Sequence, residues 1–539
     1  MSNQRRFIVW ATVITTLAVL ATASGCTSTD SRGPQQTGNS GQVLRVANPL
    51  IREPLAPVTI DTNLTRILDI VWTGLVRYDD KLEPYNAMAK SIKSTDGKKF
   101  DIVLNEDYKF TDGTPVNASS YIDAWNYAAY GPNAAQSASY FSLIAGYSDL
   151  NPLPAAGATT APKPTTDKLA GLQKVSEFEF TVELSKTMMS FPAILGYSPF
   201  YPLPTSYFKD PAAFAKEPIT NGPYKVTKVV PGQEVQVVRD DDYKHDDAGK
   251  VAGIDFINSS SDTAAYTAVQ GGQLDFAEVP TANLRTFKAD FPDRYAEVIK
   301  ASMMDMQVPL YQKKYEDVNV RIALSMAIDR ESITTALLPG QASPADGWVP
   351  PAIFGYEAGA CGANCEYNPK EAKKLWAQTG FTGDVIIGTL PNMKTVFTGV
   401  CQSITDTLGV PCKLNVVNDK SAWYEIAQTF AHPGPFHWGW NADYPTMENF
   451  LGPKFGANRS SNWMKYDSAD FQNAIDIANA EPNGQKSFDK FNEVQAVMAR
   501  EMPSIPLYFR KAAGVWSENT SNVILTPFGW PDLLKITKG

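Results

Sequence analysis

The stretch Tyr108-Lys109-Phe110-Thr111-Asp112-Gly113-Thr114-Pro115-Val116-Asn117-Ala118 puts a chain reversal and a helix start into one short segment. Asp112-Gly113 followed by Pro115 is turn chemistry, because glycine tolerates positive φ and proline presets its own. Asn117 is placed to cap a helix, and beyond it Tyr121, Ala124, Trp125 and Ala128 recur at helical spacing. Strand-like runs lie on either side. Phe178, Phe180, Val182 and Leu184 alternate with polar residues, as in a half-buried strand, and Val43 to Ala47 reads as an opening strand. Gly222-Pro223 marks a sharp strand entry. Val320, Ala323, Leu324, Ala327 and Ile328 predict an amphipathic helix, at whose end Asp329 and Arg330 are expected to form structural ion pairs. Asn151 to Asp167, rich in Pro, Ala and Thr, reads as an exposed loop. No fixed-period repeat appears. The class is α/β with mixed sheets.

Size and composition narrow the function. The chain has 539 residues, 43% of them hydrophobic, and a formal charge of −9, which describes a folded chain. A single core stops growing at roughly 250–300 residues, so at least two lobes are expected. No Lys/Arg-rich run offers nucleic acid a basic footprint. With three histidines (His245, His432, His437), a histidine-built metal centre or relay is poorly supplied. G-x-S-x-G, H-E-x-x-H, G-x-x-x-x-G-K-[ST] and G-x-G-x-x-G are all absent. The acidic runs Asp240–Asp242 and Asp246–Asp247 lack calcium-loop spacing and read as solvated turns. Neither a cofactor nor catalysis is expected.

The N-terminus reads as an export signal. Arg5 and Arg6 precede an apolar run from Phe7 to Ala23, and Ser24-Gly25-Cys26 closes it before a polar stretch to Gln42. A membrane anchor over 7–23 and an ordinary cleavage site after Ala21-Thr22-Ala23 are the alternatives. Residues 1–25 carry two arginines and no acid, so their removal takes the formal charge from −9 to −11. Beyond Cys26 four cysteines remain: Cys361, Cys365, Cys401 and Cys412. In an oxidising compartment they suggest two disulfides with three pairings open. The local pairs, each closing a short loop, are preferred. C-x₃-C and C-x₁₀-C with no histidine nearby fit zinc poorly.

Several ordered segments carry a resemblance. They are Leu75-Val76-Arg77-Tyr78 with Pro84 and Ala87-Met88-Ala89, then Tyr108–Ala118, Thr220–Tyr224 and Gly272–Asp275. Val318–Arg321 with Ala327–Arg330, Tyr367–Pro369 with Ala372–Leu375, Trp440–Pro445 and Pro503–Tyr508 follow. Together they resemble the peptide/nickel family of extracytoplasmic solute-binding proteins that serve ABC importers, across nearly all of residues 43–539. The Ser24-Gly25-Cys26 ending likewise resembles a lipoprotein signal, with Cys26 lipidated and 26–42 a flexible tether. The resemblance implies a two-lobed periplasmic-binding-protein-like fold, hinged by crossing strands. Lobe I would span about 43–300 plus 505–539, with an extra subdomain near 72–198, and lobe II about 301–504. It implies a monomer, lipid-anchored on the outer face of the cytoplasmic membrane, that hands a peptide to permease subunits. Haem or a glutathione-like solute is the alternative cargo, and an exported hydrolase the rival class.

The same resemblance selects the site. In His437-Trp438-Gly439-Trp440-Asn441-Ala442-Asp443-Tyr444 the family's W-x-A-D-Y aspartate, which pairs with a ligand α-ammonium, falls on Asp443. A buried ammonium does require a carboxylate. Gly439, Trp440 and Asn441 would offer backbone to an extended ligand, giving affinity blind to side chains. Trp440, Trp438 and Trp423 would wall side-chain pockets, with Tyr444 and His437 completing the set. Trp423 and Trp438 read equally well as core. His437 and Gln428 stand where relatives can carry arginine, and Lys394 is a candidate for a ligand carboxylate by location alone.

Overall fold

The computed structural model describes residues 43–49, 55–153, 160–457, 459, 461–482 and 484–539. The signal segment, Cys26 and the tether to residue 42 lie outside them. So do residues 154–159 of the loop read at 151–167, whose described parts carry no helix or strand.

The turn stretch folds as its residues dictate. The Asp112 carboxylate accepts from the backbone N–H and hydroxyl of Thr114 at 2.9 and 2.6 Å. Gly113 takes φ +84°. Asn117 accepts from the N–H groups of Ser119 and Ser120, and the Ser120 hydroxyl accepts from the Asn117 N–H, closing a capping box. The helix Ala118–Ala129 then buries Tyr121, Ala124, Trp125 and Ala128. Tyr121 stacks on Phe180 with ring centres 5.7 Å apart, and Trp125 meets the same ring edge-on. Phe180 and Val182 belong to an antiparallel four-stranded sheet ordered Ala89–Lys93, Lys99–Leu104, Glu179–Glu183, Leu172–Lys174. The two amphipathic elements read from sequence bury their apolar sides on each other.

A larger mixed sheet organises the rest. Its order among the described residues is Cys412–Val416, Val385–Thr389, Phe436–Asn441, Tyr295–Gln307, Ser504–Trp516, Phe276–Glu278, Val43–Asn48, Gly253–Asn258, Glu234–Arg239, Tyr224–Val230, with Ala342–Pro344 also on Ser504–Trp516. The opening strand Val43–Asn48 pairs in parallel with Gly253–Asn258. Gly222, just before Tyr224, is required by close approach: a Cβ there would meet the backbone of Val71 and Trp72 at 2.5 and 2.7 Å.

Two long strands, Tyr295–Gln307 and Ser504–Trp516, pair antiparallel and run between separate cores. Val298 and Ala512 pack on a core built from residues such as Leu44, Trp72, Trp125 and Ile254. Met303, Met306, Ile505 and Leu507 belong to a second, with Trp348, Phe397 and Phe450. Pairing is interrupted between Ile299 and Met303, where Lys300, Ala301 and Ser302 face Arg510 alone.

The helix read through Ile328 is shorter than its periodicity suggested. It spans Val318–Met326, and Asp329 caps a second helix, Arg330–Leu337, by accepting from the Ser332 N–H. The ion pairs expected of Asp329 and Arg330 are absent among the described residues. Arg330 is buried and donates to the carbonyls of Pro506, Ser325 and Cys365. Desolvation pulls its guanidinium down to about 9. The role is structural, with backbone oxygens in place of a carboxylate. The cysteines form the local pairs Cys361–Cys365 and Cys401–Cys412.

Candidate functional site

The strand Phe436–Asn441 is the centre of the site. One edge pairs along its whole length with Gln307–Ser302. On the other edge it pairs with Val385–Thr389 only at Phe436, opposite Gly388. From His437 to Asn441 that edge has no strand partner among the described residues, which leaves main-chain groups for an added strand.

Asp443 follows directly, half-buried where the two cores meet. The Tyr140 hydroxyl, 303 residues away in sequence, donates to its Oδ2 at 2.9 Å. Tyr140 packs edge-to-face on Tyr197, and both belong to the first core or its edge. From the second core the Asn449 amide reaches Oδ2 at 3.5 Å. The Asn449 oxygen accepts from the Asp443 N–H at 3.1 Å and the Trp440 indole N–H at 3.0 Å, fixing backbone and tryptophan together. Every donor here is neutral. Desolvation therefore pushes the Asp443 carboxyl up to about 6, against the lowering effect of Tyr140, Asn449 and Tyr197.

The other expected site residues divide by position. Asn441 is exposed, and its Oδ1 accepts from the Ser302 hydroxyl at 2.7 Å. Trp440 and Trp438 are half-buried. The Trp438 indole N–H has no acceptor among the described residues. Trp423 is 1% exposed, in a small cluster with Ala427, Phe436 and Trp463. His437 stacks on Trp423 at 4.7 Å, and burial pulls its imidazole down to about 4, so it is neutral at ordinary pH. Tyr444 is buried in the first core and donates to Glu448 at 2.8 Å. Trp423, His437 and Tyr444 are all buried, whereas Trp438, Gly439 and Trp440 are half-buried. Lys394 is exposed at the start of the helix Lys394–Leu408.

Comparison with known proteins bears on this arrangement. The family described as bacterial extracellular solute-binding proteins, family 5 Middle, matches residues 83–462. The chain belongs to this family. The oligopeptide-binding protein OppA of Bacillus subtilis is 25% identical, over 98% of each chain. Haem-binding protein A of Haemophilus influenzae is 23% identical over 67% of this chain and 68% of its own. Haemophilus influenzae OppA in complex with RPPGFSPFR superposes with a TM-score of 0.76 at 18% identity, covering 93% of this chain and 99% of that one. The fold of this solute-binding protein is thus the two-lobed one expected from sequence.

Tyr140, Tyr197, Asn449 and Ser302 were not legible as site residues. Asn449 sits six positions after Asp443 on the helix Met447–Phe455, a spacing that carries no motif. The tyrosines belong to the first core or its edge, about 250 to 300 residues earlier in the chain, and only folding brings them to the carboxylate.

Proposed function

We propose that this solute-binding protein captures peptides between its lobes and delivers them to the permease of an ABC importer. The observation that carries the reading is Asp443: a desolvated carboxylate where the two cores meet, served by neutral donors and by no cation among the described residues. A ligand α-ammonium supplies the missing charge. The free edge at Gly439–Asn441 supplies main-chain pairing for an extended chain. Trp440, fixed through Asn449, walls the adjacent space, with Trp438 beside it. The name of the Bacillus subtilis relative supports a peptide cargo. Haem has no ammonium and carries carboxylates that Asp443 would repel, so the peptide reading is preferred to that of the haem-binding relative.

In this reading lobe I comprises about 43–300 and 505–539, with its extra subdomain near 72–198, and lobe II about 301–504. The crossing strands act as the hinge, and a ligand touching both lobes favours closure. The protein binds without turnover, as a monomer held to the outer membrane face by a lipid on Cys26.

The test is a four-way titration calorimetry cycle with parent and Asp443→Asn against a peptide and its N-acetyl form. Breaking such a pair costs about 3–5 kcal/mol, or roughly two to four decades in affinity. The acetyl group should cost the parent a similar amount and the variant little more. Full-strength binding of the free-amine peptide by Asp443→Asn would remove the peptide assignment.

A further inference from the structure

Arg510, against Gly439, belongs to a group of three cations with Lys300 and Arg66. Arg510 lies in the crossing strand, opposite the interruption at Lys300–Ser302. It is half-buried, and its guanidinium has no hydrogen bond or ion pair among the described residues. Its Nη2 lies over the Gly439 backbone, where a Cβ would come within 3.1 Å of it. The glycine thus gives the guanidinium room against the strand that ends at the Asp443 site.

Lys300 is also half-buried and without an ion pair, and its Nζ lies 2.6 Å from where a Cβ on Gly529 would be. The charged groups acting on it are Glu278, Arg510 and Arg66. Arg66 is 6% exposed, lies over the Trp530 ring at 5.5 Å, and has an Nε with no acceptor among the described residues. Its Nη2 reaches Glu278 Oε1 at 3.5 Å. The Glu278 side chain is 44% exposed, so solvent screens it, and Asp61 is the other carboxylate acting on Arg66. Arg77, by contrast, has Asp247 at 2.8 Å.

We propose that Arg510, backed by Lys300, binds a carboxylate of the ligand, making the protein selective for peptides with an acidic group near the amine end. The proposal rests on the peptide reading above. Gly439 and Asp443 are four positions apart, a span of at most about 14 Å. The carboxylate therefore belongs to an acidic side chain within roughly the first four residues, or to the terminus of an equally short peptide. Both carry the same chemistry, and both would form charge-assisted hydrogen bonds with a guanidinium.

Calorimetry on the purified protein separates the sources. One arm uses penta-alanine amide and its variants with Glu or Gln at position two, three or four. A second compares tri- and tetra-alanine as free acids and as amides. A preference of about tenfold or more for Glu over Gln at one position, or for the free acid over the amide, is expected, and Arg510→Gln should erase it. Lys300→Met should reduce it, and serves should Arg510→Gln not fold. Binding by the parent with no acidic preference in either arm, or a preference that survives Arg510→Gln, overturns the anion site and leaves the peptide reading standing. If none of the peptides binds, both readings fall.

Discussion

Asp305 and Asp443 are two carboxylates at the same sheet, and they are served in opposite ways. Asp305, opposite Trp438 on the crossing strand, receives the Lys454 ammonium at 2.8 Å and the Ser504 hydroxyl at 2.7 Å, and both members of the ion pair are 0% exposed. Asp443, at the end of the neighbouring strand, receives a phenol and an amide. Arg77 and Arg510 repeat the contrast in cations: one has Asp247, the other has no partner among the described residues. Asp305 and Arg77 carry their counter-charges with them. Asp443 and Arg510 have none among the described residues, and a charge desolvated without a partner is a cost the fold keeps only where something else supplies the partner.

The contrast can be broken from the Asp305 side. Lys454→Met leaves a buried carboxylate unpaired and should cost about 3–5 kcal/mol in denaturant unfolding, with peptide affinity nearly unchanged in the folded variant. A loss below about 1 kcal/mol would mean that Asp305 depends on its cation no more than Asp443 does.

From the Asp443 side the sign reverses. Its carboxyl is pushed from 3.8 up to about 6. Ionising it above pH 6 therefore destabilises the ligand-free fold, by about 1.4 kcal/mol for each tenfold loss of acidity that folding imposes on the group. Asp443→Asn removes that burden and should stabilise the free protein by about 1–3 kcal/mol at pH 8 while it weakens binding. A variant less stable than the parent would place Asp443 with Asp305, as a structural charge.

Acidity sharpens the comparison further. An ammonium ligand holds Asp443 ionised, so below pH 6 its binding must first expel a proton. Affinity for a free-amine peptide should fall up to about tenfold per pH unit as pH drops below 6, and an N-acetyl peptide should show no such fall. His432 and His437, held neutral down to about 4 by burial, do not titrate strongly between pH 5 and 6. Binding independent of pH in that window would mean that no proton is coupled to the ligand.

What could be read in advance follows the range of the forces involved. The Asp112–Asn117 turn and cap, the helix behind it and the half-buried strand at Phe180 depend on neighbours within a few residues, and their chemistry is written locally. The disulfides were legible for the same reason, since each closes a short loop. Asp443 was legible through the ordered segments that carry the family resemblance. Arg330 was misread because acceptors such as the Pro506 carbonyl lie far away in the chain, and carbonyls leave no mark in composition. The stacking of His437 on Trp423 left no mark in the sequence, because aromatic rings in a motif look alike whether they face a solute or stack on each other.

The sequence by itself determined the α/β class, the family, and the local turns and caps, and it pointed to Asp443 through the family resemblance. Only the tertiary structure decided that Asp443 is served by the distant Tyr140, that Trp440 hangs from Asn449, and that Arg510 covers Gly439 with no counter-charge among the described residues. The reason is physical. Local conformation is set by a residue and its near neighbours, whereas the ionisation and reach of a charged group depend on the solvent it has lost and the partners it has met. Both are fixed only when distant segments close around it.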